Sequence, residues 1–319
     1  MRMPEQQSYV EPEDRETRVS DLVLRYGVIL GKRFTQGQKR RFLAAAAQQF
    51  QLCGFGAALE EDKHAVKAAG AKKFFNLYAG DIQKADVLYV TYYDTPAASV
   101  SKRKAVAFDA GYRAQDLWAS MAALIAIAAV AATLIWRFVW QQLDAAGPLS
   151  FWGVLFVACC VGVLAFVTNY REGFAARNNM VRNSSSLAIF FELAREAHEV
   201  GLDRKVAFAL VDEGCRSERG LEMLRERLGK HRPRIVYVDS LGSDGEVVCL
   251  TNSRCPESWA GGVRVEKLGS DLRKKFGDYL LCAGEPTEGG EVLVEDASEV
   301  TTQRVLDRAK VLLSFAHEV

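Results

Sequence analysis

The sequence predicts an α/β domain with a mostly parallel mixed sheet covered by helices on both faces, interrupted by a hairpin of two transmembrane helices. Three observations support this prediction. Two long segments of the 319-residue chain, 118–136 and 145–170, contain no charged residue, whereas charges are dense elsewhere. Short apolar runs typical of buried strands occur on both sides of these segments. Amphipathic helical patterns alternate with those runs, as in a sheet built from parallel strands.

The hairpin prediction depends on length, composition and flanking residues. A helix needs about 20 apolar residues to cross the hydrocarbon core of a bilayer, and both charge-free segments are near that length. Arg137 lies close enough to one end to reach the headgroup region, and Trp118, Trp152 and Tyr170 also lie near the ends. The polar stretch 141–148, which contains Gly-Pro, is the expected turn. The alternative is a pair of buried helices in a large soluble core, but such helices rarely lack a polar face.

Lys and Arg residues precede the first helix of the hairpin and follow the second, whereas the turn between the two helices contains neither. The positive-inside rule therefore predicts a cell-membrane protein with both soluble parts in the cytoplasm and the turn outside. The polar N-terminus lacks an apolar signal segment, and the seven cysteines without CxxC fit reduced, cytoplasmic thiols. The net charge of +1 gives no indication of nucleic-acid binding. The flanking cations are Lys102, Arg103, Lys104, Arg113, Arg171, Arg177 and Arg182.

Acidic residues follow three of the predicted strands. The predicted strands are 87–93, 206–211, 235–238, 246–250 and 278–282. The predicted helices are 39–50, 187–200, 218–228 and 302–318. The N-cap of the second helix is expected among residues 183–186. The first three strands end in Asp94, in Asp212 with Glu213, and in Asp239. Sites in open α/β sheets form beyond the carboxyl ends of strands, so these carboxylates predict metal binding or acid–base chemistry. The alternative is that aspartate ends strands because it favours turns.

Several short segments of the chain occur in the order found in one enzyme family. They are Gly31-Lys32-Arg33 before a helix, 76–80 beginning with Asn76, 91–96, 182–188 followed by Glu192-Leu193-Ala194-Arg195, Asp212-Glu213, and Asp239. In this order, with the hairpin as an insert, they resemble the zinc-dependent exopeptidases of the aminopeptidase S and aminopeptidase Y type, metallopeptidase family twenty-eight. The resemblance covers most of the soluble sequence.

The resemblance also assigns roles to residues, and it fails at the metal site. It implies that Glu213 and Asp239 stand at metal-ligand positions, with Asp212 at the general-base position and Asp94 in support. Three further ligand positions are altered, with Tyr92 at the first His, Arg182 at the bridging Asp and Leu272 at the late His. Zinc normally takes three or four protein ligands, and an arginine between two zinc ions would repel them. We therefore expect a degenerate site without a cofactor.

Arg182 is one candidate counterion for the carboxylates, because a guanidinium can neutralise buried charge with bidentate hydrogen bonds. The alternative is that Arg182 faces solvent or lipid headgroups. The functional prediction is a membrane-anchored pseudoenzyme that acts through binding or assembly, with the bilayer and another membrane protein or a peptide as partners. One alternative is a divergent aminopeptidase or hydrolase that keeps a zinc ion on Asp94, Glu213, Asp239 and Cys215. A third makes the hairpin the functional part of a transport or envelope complex.

The predicted organisation has four parts: a disordered N-terminus (1–20), the first part of the α/β domain (21–115), the transmembrane hairpin (116–170) and the second part of the domain (171–319). The hairpin follows the strand ending at Asp94 and precedes the helix that begins near Asn183. We therefore expect it to leave the domain from the face that carries the site. The alternative is an insertion into a tolerant surface loop.

Overall fold

The computed structural model describes residues 14–62, 73–96, 105–170, 183–214, 217–259, 261–287, 289–294 and 300–318. The chain divides into two compact units. The larger unit contains the chain up to Thr95, a short segment ending at Ala110, and the chain from Asn183 onward. The smaller unit contains the helical hairpin within residues 111–170.

The first described helix corrects part of the predicted disorder of residues 1–20, of which 1–13 lie outside the described residues. Helix α1 (Arg15–Val23) begins at Asp14, whose carboxylate accepts a hydrogen bond from the backbone N–H of Thr17 at 2.8 Å. This cap satisfies one of the otherwise unpaired N–H groups of the first turn. Val19 and Leu22 are buried in the main core, which holds the helix in place.

Helix α2 (Gln36–Leu52) confirms the helix predicted over 39–50 and begins three residues earlier. Thr35 and Gln38 form a capping box, in which each side chain satisfies a backbone N–H at the start of the helix. The buried positions of α2 follow a helical stripe that starts at Lys39 and continues through Phe42, Leu43 and Ala46. This stripe places a lysine on the core side of the helix.

The described residues form one ten-stranded sheet, in the order β1-β2-β5-β3-β6-β9-β10-β4, with β7 and β8 paired beyond β9. Strands β5, β3, β6 and β9 are parallel neighbours, and most of the other pairings are antiparallel. The sheet is mixed, as predicted, but it is mostly parallel only at its centre. The strands are β1 (Ala57–Glu61), β2 (Phe75–Ala79), β3 (Val87–Tyr92), β4 (Ala105–Val106), β5 (Val206–Val211), β6 (Arg234–Val238), β7 (Glu246–Thr251), β8 (Arg264–Glu266), β9 (Tyr279–Pro286) and β10 (Val292–Val294).

Both faces of the central strands are buried. Alternate residues of β5, such as Phe208 and Leu210, belong to the main core, which also includes side chains of α1, α2, α6 and α9. On β6, Tyr237 packs against Phe276 of α8 with ring centroids 4.5 Å apart. Strands covered on both sides read as continuous apolar runs, which is why β3 and β5 were predictable. The remaining helices of this unit are α6 (Ser185–Glu199), α7 (Arg219–Leu228), α8 (Ser270–Phe276) and α9 (Thr302–Glu318).

The hairpin consists of α3 (Ala110–Leu134), a π-helical stretch (Ile135–Trp140), α4 (Gln141–Ala146) and α5 (Phe151–Tyr170). Two stretches are long and apolar enough to cross a membrane: Trp118–Ala146, with mean hydropathy 2.2, and Phe151–Thr168, with mean hydropathy 2.4. The predicted turn over 141–148 is wrong in its first part, because 141–146 are helical. Gly147, with φ +83°, ends that helix, since glycine adopts this conformation without steric cost.

Candidate functional site

Four carboxylates meet at one edge of the sheet, as the strand pattern predicted. The carboxyl ends of β3, β5 and β6 coincide because these strands are parallel and in register. Asp94 follows β3, Asp212 and Glu213 follow β5, and Asp239 follows β6; each is at most 2% exposed. Burying unpaired carboxylates is costly, so their hydrogen-bond partners determine what this edge of the sheet can do.

Lys39 provides the counterion for two of these carboxylates. Its ammonium lies 2.5 Å from the Oδ1 atom of Asp212 and 2.8 Å from the Oε1 atom of Glu213. The lysine is 2% exposed. Burial by itself would lower the pKa of Lys39, but the charges of Asp212, Glu213 and Asp94 outweigh this effect and raise the pKa above its ordinary value. Lys39 is therefore a permanent cation inside the carboxylate cluster.

Asp212 has both carboxylate oxygens engaged. Besides Lys39, the Oδ1 atom accepts from the N–H of Glu213 at 2.8 Å, and Oδ2 accepts from the N–H of Phe75 at 3.1 Å. Asn76 fixes the backbone at Asp212, because its Oδ1 atom accepts a hydrogen bond from the N–H of Asp212 at 3.0 Å. Burial raises the pKa of Asp212, and Lys39 offsets part of that rise. The position that the resemblance assigns to the general base is thus held by a lysine and two backbone donors.

Donors from three different segments of the chain bind Asp239. The hydroxyls of Tyr92 and Ser240 each donate to its Oδ1 atom at 2.9 Å, and the N–H of Phe108 donates to Oδ2 at 2.9 Å. Tyr92, at the position of the first metal-ligand His in the resemblance, thus holds the Asp239 carboxylate by a hydrogen bond. Gly214 makes room for the Tyr92 side chain, because a Cβ atom at position 214 would lie 2.2 Å from the Cβ atom of Tyr92.

Arg33, from the Gly-Lys-Arg segment, is fully buried beside the cluster. As predicted, it precedes a helix: it lies in the connection that leads into α2. Its guanidinium stacks on the ring of Phe42 at 4.9 Å. Its five N–H groups donate to the carbonyl oxygens of Tyr93 (2.5 Å), Tyr26 (2.7 Å) and Leu30 (3.0 Å) and to the side-chain oxygens of Asn183 and Ser184 (2.7 Å each). Arg33 therefore connects the N-terminal segment, β3 and the start of α6.

The polar residues before α6 have a different role from the predicted one. Ser184 is the N-cap residue, but no side chain caps the helix. Asn183 and Ser184 instead accept from Arg33, and the Nδ2 atom of Asn183 donates to the carbonyl oxygen of Asp94 at 2.6 Å. The hydroxyl of Ser186 accepts from the N–H of Leu241. These side chains link helix α6 to the strand ends of the site.

Backbone strain is concentrated at this site. Within the described ranges, only three non-glycine residues have a positive φ: Phe108 (61°), Glu213 (60°) and Ser240 (55°). One of them is a site carboxylate, and the other two donate to Asp239. A left-handed backbone costs a non-glycine residue about 1–3 kcal/mol and persists only where its surroundings determine it. The hydrogen bonds around Asp239 supply such surroundings.

Three further predicted positions remain: Arg182, Cys215 and Leu272. Arg182, the expected counterion, and Cys215, the alternative ligand, lie outside the described residues. Leu272 lies on α8, which lines a groove at the amino-terminal ends of β6 and β9, and its side chain has no ligand atom. Sequence reasoning missed Lys39, although it stands three residues before Phe42 and four before Leu43 on the core stripe of α2.

The donor set of the cluster does not fit zinc in this arrangement. Zinc needs three or four ligands from His, Cys, Asp and Glu, drawn into one shell. In the part of the chain that the structure describes, no group of three such residues is placed to hold a metal ion. A cation within 2.8 Å of both Asp212 and Glu213 would also oppose a second, divalent cation.

Comparisons with solved structures identify the fold of this chain. A glutaminyl cyclase from Tannerella forsythia superposes with a TM-score of 0.55 at 10% identity, covering 94% of this chain and 97% of that one. A Zn-dependent exopeptidase from Parabacteroides distasonis gives 0.52 at 9% identity, covering 94% and 96%. A zinc aminopeptidase from Bacillus subtilis gives 0.53 at 9% identity, covering 97% and 96%.

These similarities establish the fold alone. The chain has the α/β fold shared by glutaminyl cyclases and zinc-dependent exopeptidases, in agreement with the resemblance in the sequence. No protein-family model matches the sequence, and no match is found among curated proteins. Function must therefore be argued from the site itself.

Proposed function

We propose that this chain is a membrane-anchored, non-catalytic member of the aminopeptidase-like fold that acts as a binding module. The observation that supports the proposal is the buried ammonium of Lys39 between Asp212 and Glu213. It occupies the side chains to which the resemblance assigns the general base and a metal ligand. Tyr92 engages Asp239, the other retained ligand position, in the same way.

Protein donors already engage the carboxylates that catalysis would need. A general base must lie within hydrogen-bond reach of the proton that it removes, and an ammonium bound to the carboxylate lowers its affinity for that proton. Both oxygens of Asp212 already accept from protein donors, one of them a charged ammonium. Zinc would need Lys39 displaced and the hydroxyl of Tyr92 moved off Asp239. Both displacements would leave buried groups unpaired, at a cost of about 1–3 kcal/mol for each group.

Membrane anchoring is supported by the surface of the hairpin. Only 11% and 6% of its two apolar stretches are buried, which does not suit helices of a soluble core. Trp118, Ile125 and Phe138 are 74%, 65% and 64% exposed. Large contiguous apolar surfaces are rare on soluble proteins and suit a lipid environment. We propose that the hairpin is embedded in the cell membrane, with the α/β unit in the cytoplasm.

Residues of the α/β unit that flank the hairpin in sequence form hydrogen bonds to the site. Phe108, near the point where the chain leaves this unit, donates to Asp239, and Asn183, where it returns, donates to the carbonyl of Asp94. We propose that partner binding at this site is coupled to the membrane segment. The partners would be the bilayer and another membrane protein or a peptide.

Metal binding and peptidase activity of the purified full chain test the proposal. We expect no stoichiometric zinc after equilibration with Zn²⁺ and removal of free metal, and no cleavage of aminoacyl reporter peptides. A Lys39→Ala/Tyr92→His variant is the matched comparison, because it removes the ammonium and restores a metal-ligand side chain; we expect it to retain more zinc than the wild type. About one or two zinc ions per wild-type chain together with reporter cleavage would replace the proposal with the divergent hydrolase.

A further inference from the structure

A second candidate site lies at the opposite edge of the sheet. A groove of about 890 Å³ lies between α7 and α8, beside the amino-terminal ends of β6 and β9. Arg234 begins β6 and lines the groove, whereas Asp239 follows the last residue of that strand. Five residues at about 3.3 Å each separate the two positions by roughly 16 Å. The volume is within the usual range of small-molecule sites, about 300–1,000 Å³.

The groove is strongly basic. Six permanent cations line it, against one carboxylate, Asp278. Asp278 pairs with Arg273 at 2.9 Å, and Lys275 pairs with Glu218 at 2.9 Å. Among the described residues, the other four cations have no carboxylate within ion-pair distance. Those four are Arg225, Arg232, Arg234 and Lys274.

Two of these arginines are held in place by backbone carbonyl groups. The Nη2 atom of Arg225, on α7, donates to the carbonyl oxygens of Lys274 (3.2 Å) and Lys275 on α8, and so connects the two walls. The Nη1 atom of Arg232 donates to the carbonyl of Gly229 at 2.7 Å, just beyond α7. Each arginine uses one terminal nitrogen in these bonds. Its remaining N–H groups can donate to an anion without rearrangement of the walls.

The base of the groove is apolar. Leu221, Leu224 and Leu228 line it from buried positions on α7, and Phe276 lines it from α8. Ile235 contributes from the start of β6. An anion bound by the cations would therefore keep its uncharged part against these side chains. Apolar walls with a few fixed polar groups are the usual composition of ligand sites.

We propose that this groove binds a ligand that carries a phosphate group on an apolar body. A phosphate suits several guanidinium groups because its oxygens accept bidentate hydrogen bonds from more than one arginine at a time. The ligand is either a soluble phosphate ester or the headgroup region of an anionic phospholipid; both present the same chemistry. The groove is independent of the function proposed for the carboxylate cluster, since the two sites share no residue.

Calorimetric titration of the full chain in a zwitterionic detergent tests the proposal. Adenosine monophosphate represents the soluble source, with adenosine as its phosphate-free control. Dihexanoyl phosphatidic acid represents the lipid source, with dihexanoyl glycerol as its phosphate-free control. We expect saturable binding of one phosphate-bearing probe, weakened by added salt because ions screen exposed charges. Whichever probe binds more tightly identifies the source.

Charge reversal locates the site. Arg232→Glu/Lys274→Glu should weaken binding at least about ten-fold, because charge-assisted hydrogen bonds are lost and a repulsion is added. The control Arg264→Glu/Lys310→Glu makes the same charge change at exposed residues outside the groove and should leave the affinity within about two-fold. The neutral Arg232→Gln/Lys274→Gln variant repeats the test if charge reversal lowers the melting temperature. The proposal is overturned if neither phosphate-bearing probe binds, or if the groove and control variants bind alike.

Discussion

Replacing Lys39 with methionine tests the carboxylate cluster most directly. Lys39→Met removes the ammonium but keeps an unbranched chain of similar length in the buried position. It leaves Asp212 and Glu213, 1% and 2% exposed, without their counterion. Removing one partner of a buried ion pair costs about 3–5 kcal/mol. With an unfolding entropy of about 2.1 cal/mol/K per residue, that loss lowers the melting temperature of a chain of this size by roughly 4–8 °C.

The pH dependence of this variant gives a second, more specific readout. Burial raises the pKa of Asp212 above its ordinary value of 3.8 even with Lys39 present, so loss of the ammonium raises it further. A carboxyl group with a raised folded-state pKa contributes stability below its unfolded pKa, and this stability is lost as pH rises through the folded-state pKa. The stability deficit of Lys39→Met relative to the wild type should therefore be smallest near pH 4 and grow toward pH 8.

Thermal unfolding of the full chain, followed by circular dichroism in one detergent at several pH values, measures both effects. Lys310→Met is the control, because Lys310 is 59% exposed and its ion pair with Asp307 spans 3.9 Å; we expect a change within about 0.5 kcal/mol. Asp212→Asn, alone and combined with Lys39→Met, completes a double-mutant cycle with an expected coupling of about 0.5–3 kcal/mol. A Lys39→Met protein that melts like the wild type, or whose deficit does not vary with pH, would refute the reasoning.

Three further predictions concern Tyr92, Arg33 and the hairpin. Tyr92→Phe removes the hydroxyl that donates to the Asp239 carboxylate, and we expect melting curves to show a loss of about 1–3 kcal/mol. Arg33→Lys leaves three donors where the guanidinium makes five hydrogen bonds, so it should lower the free energy of unfolding by about 3 kcal/mol or more. The control Arg41→Lys, on the exposed side of α2, should have little effect. A cysteine replacing Asp144 should react with an impermeant maleimide in intact cells, beyond the wild-type background. A cysteine replacing Lys310 should react only after lysis. The reverse pattern would invert the predicted topology.

The central strands could be predicted from sequence because their environment is uniform. β3 and β5 are buried on both faces, so every position is apolar and the run is conspicuous. The ends of such parallel strands must coincide, and this is why Asp94, Asp212 and Asp239 could be grouped correctly. The outer strands gave no such signal. β4 has two residues and β10 has three, and β1 is partly exposed along its length.

Two side-chain partners of the carboxylates, Lys39 and Tyr92, could not be predicted, because each comes from a distant part of the chain. Lys39 reaches Asp212 across 173 positions, and Tyr92 reaches Asp239 across 147. Arg182 was proposed as the counterion because the family pattern drew attention to it, while Lys39 stood outside every motif. The helical stripe of α2 does place Lys39 on the buried side. A buried lysine at the start of a core helix indicates a nearby carboxylate even when the sequence does not identify which one.

The cluster retains features that stability alone does not require. A buried ion pair is often no more stable than apolar side chains of the same volume, so Lys39, Asp212 and Glu213 are not explained by the free energy of folding. The positive φ of Glu213 and Ser240 is a further cost at the same place. Joint replacement of Lys39, Asp212 and Glu213 by apolar residues separates two possibilities. If the cluster only fills the core, the replacement should leave both the fold and partner binding unchanged. If the cluster is a binding site, the fold should persist but the partner should no longer bind, because the strained turns and fixed charges define the surface that the partner contacts.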